Sequence, residues 1–230
     1  MTLTVFAERL LDDFAVTVVE QRIVDILTAE LANQQALATA AAADPTPYQI
    51  GVFREREIPS ESSEYPLINV SLSDGTFPKS MSGPQSVARM GEFVYHVDCM
   101  ASLPTEIAAD KSVTELGDLR TAKQALFVAG LAYRILSSPV NTLLQFPSRD
   151  GTGPIGFIGG SKITTVTAFQ PVFSETHFPA EHVLAVRLVL EVKHSVTAPD
   201  SVGVPLEGFL ATLQNTSGTE VVEQEVELEY

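Results

Sequence analysis

Apolar side chains recur at helical spacing from about Phe14 to Ala43. Val16, Val19, Ile23, Ile26, Leu27 and Leu31 form one stripe, and Glu20, Gln21, Asp25 and Thr28 fall on the other faces. Asp12 or Asp13 can cap the exposed N–H groups of this predicted helix, and Asp44-Pro45-Thr46-Pro47 ends it, because proline lacks the N–H that a helix needs. The alanine run Ala40–Ala43 offers little side chain to bury, so this end is expected to project past its sheet or to lie against a neighbouring subunit. The period then changes to two. Tyr48, Ile50 and Val52 open one extended segment toward Ile58, and Ile68, Val70 and Leu72 share one face of a second. The charged stretch 54–57 and the polar stretch 60–64 between them read as a solvated hairpin tip.

A polar loop with glycine and proline, residues 73–89, leads to a third strand in which Phe93, Tyr95, Val97 and Cys99 alternate with Glu92, Val94, His96 and Asp98. One of its faces is therefore expected in the core and the other mostly in water. A second helix is predicted from about Thr114 to Ser138. Leu116, Leu119, Leu126, Phe127, Leu131, Tyr133, Ile135 and Leu136 make it apolar over a wide arc, Gly130 would admit a close neighbour, and Pro139 ends it. A loop from Phe146 to Gly160 follows, then strands over 163–172 and 183–196. In the last strand Leu184, Val186, Leu188, Leu190 and Val192 oppose Arg187, Glu191 and Lys193. This order lacks the strict βαβα alternation of a parallel doubly wound sheet. It predicts an α+β fold: a mostly antiparallel sheet with two long helices packed on one face, extended loops and a C-terminal arm. The domain spans residues 1–198, and residues 199–230 form an acidic extension.

Composition sharpens what the pattern leaves open. The 230 residues include 14 Lys and Arg against 29 Asp and Glu, a formal charge of −15. So few basic residues, spread along the chain, do not supply the cationic face that phosphate neutralisation requires. A single cysteine excludes an internal disulfide, and its alternation with Phe93, Tyr95 and Val97 makes Cys99 a small core residue. The N-terminal stretch has no basic region and carries Glu8, Asp12 and Asp13 where a secretory signal would be apolar. No apolar run approaches the roughly 18 residues of a membrane span, so a cytoplasm-like compartment, or a particle assembled there, is expected and a membrane partner is not.

Candidate chemistry is sparse. Gly151-Thr152-Gly153-Pro154-Ile155-Gly156 matches the spacing of a dinucleotide loop, but it contains a proline and runs toward a strand instead of opening a helix whose N–H groups would hold a pyrophosphate. Gly160-Ser161-Lys162 lacks the spacing of a phosphate-binding loop. His96 and Asp98, two apart on a strand, can share a face as a base with its orienting acid or as two metal ligands. His177, Glu181 and His182 sit around a proline without the i, i+4 regularity of a zinc helix. No catalytic residue, cofactor or metal is expected from these patterns. The C-terminal segment stands apart. After Lys193 come Asp200, Glu207, Glu220, Glu223, Glu225, Glu227 and Glu229 with no basic residue. There Val222, Val226, Leu228 and Tyr230 alternate with glutamates, so a strand formed here has one apolar and one acidic face and must find an open sheet edge. A solvated acidic tail is the competing reading.

The order of elements resembles that of the tail terminator, or tail-completion, proteins of tailed bacteriophages. The resemblance is carried by the leading helix, the Pro66-Leu67-Ile68-Asn69-Val70 and Phe93-Val94-Tyr95-His96-Val97 strands, the Leu119–Leu136 helix and the final long strand, and it covers roughly residues 14–196. The longer loops and the acidic tail look more like the larger members from contractile tails. The resemblance implies a structural virion protein and no enzyme. Its subunits would form a homo-oligomeric ring, usually a hexamer, that caps the tail tube, stops its polymerisation and offers a docking face to the head and neck. The implied partners are the tail tube protein, a head-side neck or connector protein and the sheath protein. DNA would pass through without specific binding, and assembly would take place in the host cytoplasm. Residues Val222, Glu223, Glu225, Val226, Glu227, Leu228, Glu229 and Tyr230 are the expected assembly contacts. Two readings compete: another neck or connector component of such a particle, and a small hydrolase or metal-dependent enzyme built on His96 and Asp98.

Overall fold

The computed structural model describes residues 15–56, 64–76, 88–110, 112–146, 158–171 and 183–197. Helix α1 spans Ala15–Ala40 and a 3-10 turn follows at Thr46–Tyr48. Strands β1 (Gly51–Arg54), β2 (Leu67–Thr76) and β3 (Ala88–Ser102) precede a small antiparallel pair, β4 (Glu106–Ile107) and β5 (Val113–Glu115). Helix α2 (Gly117–Leu136), a 3-10 turn at Pro139–Asn141, and strands β6 (Ile158–Phe169) and β7 (Val183–Thr197) complete the described chain. The main sheet runs β1-β2-β3-β7-β6. All its pairings are antiparallel except β1 with β2.

Both helices lie on one face of this sheet, as the pattern predicts. The six α1 residues of the predicted stripe, Val16 through Leu31, are all buried. They meet Ile68 and Val70 of β2, Phe93, Tyr95, Val97 and Cys99 of β3, and Val186, Leu188, Leu190 and Val192 of β7 in one core. The Tyr95 hydroxyl donates to the Val16 carbonyl at 3.1 Å, tying the start of α1 to the middle of the sheet. Cys99 is fully enclosed, and burial pushes its thiol far above the usual range. Beyond Leu31 only Ala38 of α1 is buried, and Gln35 holds this end by donating to the Tyr48 carbonyl at 2.9 Å.

Four expectations are corrected. First, β1 and β2 do not form a hairpin: they are parallel, with Gly51 opposite Leu67 and Arg54 opposite Val70. The connection between them is long enough to return the chain to the start of β1, and parallel pairing needs such a length. Its ends are anchored side by side. The Asn69 side chain accepts from the Arg56 N–H and donates to the Arg56 carbonyl, both at 3.0 Å, and Arg56 pairs with Glu64.

Second, residues 73–76 continue β2 past a bulge between Leu72 and Asp74, and β3 already begins at Ala88, so the loop 73–89 is shorter than expected. Third, α2 begins at Gly117, because residues 113–115 pair with 106–107 in the small sheet. Gly117 fits where a Cβ would stand 3.0 Å from the Leu103 carbonyl oxygen and the Thr105 nitrogen. Fourth, Glu20, which the pattern places off the apolar stripe of α1, is nevertheless buried.

Candidate assembly surfaces

The apolar arc of α2 is oriented differently from expectation. The residues pressed on the sheet are mostly small: Gly117, Thr121, Ala125, Val128, Ala129 and Ala132, joined by Ile135 and Leu136 near the C-terminal end. Their spacing is helical, and their size lets α2 lie close to β3 and β7, whose own Tyr95, Leu188 and Leu190 already fill the interlayer space. The large apolar residues point away. Leu119, Leu126 and Tyr133 are 50%, 59% and 47% exposed, and Leu116 and Phe127 flank them. Their spacing of seven residues keeps them in one line along the helix. Gly130 lies in that line with nothing within 4 Å of where its Cβ would stand, so within the described residues it admits no close neighbour. Arg120, Lys123 and Arg134 border the line, with Lys123 paired to Glu115.

The second surface is the face of the sheet opposite the helices. His96 and Asp98 do share it, but Asp98 is engaged elsewhere. Arg187, its direct cross-strand neighbour, donates from Nε and Nη2 to the two carboxylate oxygens of Asp98, each at 2.7 Å. The Asp98 side chain is only 6% exposed and that of Arg187 33%. The Arg187 guanidinium also lies 4.8 Å over the Phe169 ring. Leu67, Met100 and Ala185 are buried at this end beneath Phe53, Tyr65 and Phe169. The face expected to be mostly wet therefore carries its own small apolar cluster beside a bidentate ion pair. Burial holds the His96 imidazole below its usual range, helped by the Arg187 charge and opposed by Asp98. Among the described residues no group of three or more His, Cys, Asp and Glu side chains is placed to hold a metal ion.

The third surface is the outer edge of β6. This strand ends the sheet, and among the described residues no other strand pairs along its free side. Residues 164–168 are all exposed. Gly160-Ser161-Lys162 lies within β6, in extended pairing with β7. The loop motif 151–156, His177, Glu181, His182, the capping residues Asp12 and Asp13, and the expected assembly contacts 222–230 lie outside the described residues.

A fourth feature is internal. Glu20 approaches Arg54 at 3.8 Å and lies beside Glu55, whose carboxylate accepts from the Leu72 N–H at 2.8 Å. Burial raises the Glu20 carboxyl to about 7, with Glu55 adding to the rise and Arg54 opposing it. Neither Asp98–Arg187 nor this site was legible as a pair from the linear pattern, because each joins residues from distant elements. Only the basic residue in mid-strand at Arg187 hinted at the first. No protein-family model matches the chain, and no curated protein matches it.

Proposed function

We propose that this chain is a structural subunit of a tailed phage particle: a ring-forming protein, with six copies as the expected number, that caps the tail tube, stops its growth and presents a docking face toward the head. The observation that carries the reading is the outward line Leu119–Leu126–Tyr133 on α2. A helix that turns small residues to its own core and large apolar ones to solvent is organised for contact with another protein surface. A tube grows while each ring exposes an edge that the next ring matches. A terminator matches that edge and offers a different opposite face, so growth stops. The formal charge of −15 suits a ring through which DNA slides, because an acidic lumen repels phosphate.

The purified protein should form discrete rings in native mass measurements and in negative-stain micrographs, and should shorten tubes when added to polymerising tube protein. Leu126→Glu should release monomers whose thermal midpoint is within a few degrees of the parent, because an exposed position contributes little to the fold itself. A strict monomer at high concentration that never caps tubes would sink the reading. Cross-links to the tube protein distinguish a terminator from a connector facing the portal.

A further inference from the structure

Strand β6 has two unlike faces at the free edge of the sheet. Ile163, Val166 and Ala168 pair with Leu190, Leu188 and Val186, and so lie on the helix side. Ala168 is exposed there and Val166 is 56% exposed, because neither helix reaches over this edge. Lys162, Thr165 and Thr167 pair with Glu191, Val189 and Arg187 on the opposite side. The edge thus offers an apolar strip on one side and a polar, cation-bearing strip on the other; the Thr142 carbonyl accepts from the Ser161 N–H at 2.8 Å near its start, and beyond that point no strand among the described residues pairs with it.

The C-terminal segment carries the complementary pattern. Val222, Val226, Leu228 and Tyr230 occupy one parity and Glu223, Glu225, Glu227 and Glu229 the other. Placed beside β6, its apolar parity covers Val166 and Ala168 while its glutamates run past Lys162, Thr165 and Thr167. The opposite placement would set glutamates on the apolar strip, so the register parity is fixed by the chemistry.

We infer that the free edge of β6 accepts the C-terminal segment 222–230 of an adjacent copy of this chain as an added strand. The occupant is a neighbour's segment because the inference rests on the ring reading: donation from each subunit to the next is a head-to-tail contact that closes into a ring. Residues 198–221, which separate the segment from the end of β7, reach up to roughly 80 Å when extended, enough to pass from one subunit to another.

Two single variants of the full chain test this, Thr165→Cys and Glu227→Cys, with Thr167→Cys and Glu225→Cys as a second pair to allow for register. The native Cys99 is buried and does not compete. On mild oxidation, a mixture of the two variants should give a disulfide-linked dimer containing one chain of each, and neither variant alone should. Truncation after Gly218 should leave the circular dichroism spectrum of a folded domain and raise the concentration needed for ring formation by roughly tenfold or more, the equivalent of about 1.4 kcal/mol per contact. Rings that persist after truncation, with no mixed disulfide, would overturn the strand donation and leave the ring reading standing. A disulfide formed within one chain of a double variant would overturn the choice of the neighbour. A monomer at every concentration, before truncation, would remove the ring reading and this inference with it.

Discussion

Asp98→Ala is expected to lower the stability of the fold by about 2–4 kcal/mol, with a fall in the thermal midpoint of roughly 4–16 °C for a domain of this size. The carboxylate is nearly enclosed and takes two charge-assisted hydrogen bonds from Arg187. Removing it leaves a guanidinium fixed over Phe169 and beside the Met100–Leu67–Ala185 cluster without its partner. The cost falls at the lower end of that range if water reaches the arginine, whose side chain is one-third exposed. Urea unfolding of Asp98→Ala, Arg187→Ala and the double variant would measure the coupling directly. A double variant more stable than Asp98→Ala alone is the expected result, because deleting both partners removes the stranded charge. An unchanged midpoint in Asp98→Ala would mean that the pair behaves as an exposed one. The same experiment bears on the enzymatic reading, since it probes whether Asp98 serves the sheet through Arg187.

Glu20→Gln is expected to act in the opposite direction and to depend on pH. The Glu20 carboxyl titrates near 7 in the folded chain, raised from an ordinary value of 4.5 by burial and by Glu55. Below pH 4.5 the group is protonated in both the folded and unfolded states and changes nothing. Between 4.5 and 7 the unfolded chain loses this proton and the folded chain keeps it, so stability falls as pH rises. Above 7 the loss is complete, on the order of 3 kcal/mol. Glutamine removes the charge and keeps the shape. The variant should therefore match the parent near pH 4 and exceed it by about 2–3 kcal/mol at pH 8. Chemical denaturation at the two pH values checks this, and equal gains at both would show that ionisation is not the cause. A monomeric background such as Leu126→Glu would separate this effect from any change in assembly.

The class of the fold was readable because it depends on period. Alternation in β3 and β7 and the 3.6-residue stripe of α1 each require only that one face be dry, and the observed core follows them residue by residue. The α2 arc was ambiguous for the same reason. Its large residues and its alanines each mark a continuous face, and hydrophobicity alone favours the larger ones. The choice fell to volume: a sheet whose inner face already bears Tyr95, Leu188 and Leu190 has room for Ala125, Ala129 and Ala132 and not for Leu119 and Leu126. The direction of β2 was unreadable because the alternation of a strand is identical in parallel and antiparallel pairing. It was decided by a connection whose ends are joined through Asn69 and Arg56.

The candidate site divides in the same way. The placement of His96 and Asp98 on one face followed from their spacing of two residues, but the partner of Asp98 lies 89 positions away on β7 and is set by register. The sequence by itself determined the layers, the buried α1 stripe, the enclosed Cys99 and the alternation of segment 222–230, whereas the two faces of β6 were set by the register shift between Ile163 and Thr165 in its pairing with β7. Tertiary structure alone decided which side of α2 meets the sheet, which carboxylates are buried at Glu20 and Asp98, and which strand is left at the edge. Local periodicity reports that a face must be buried, whereas its partner depends on shape and register between residues far apart in the chain.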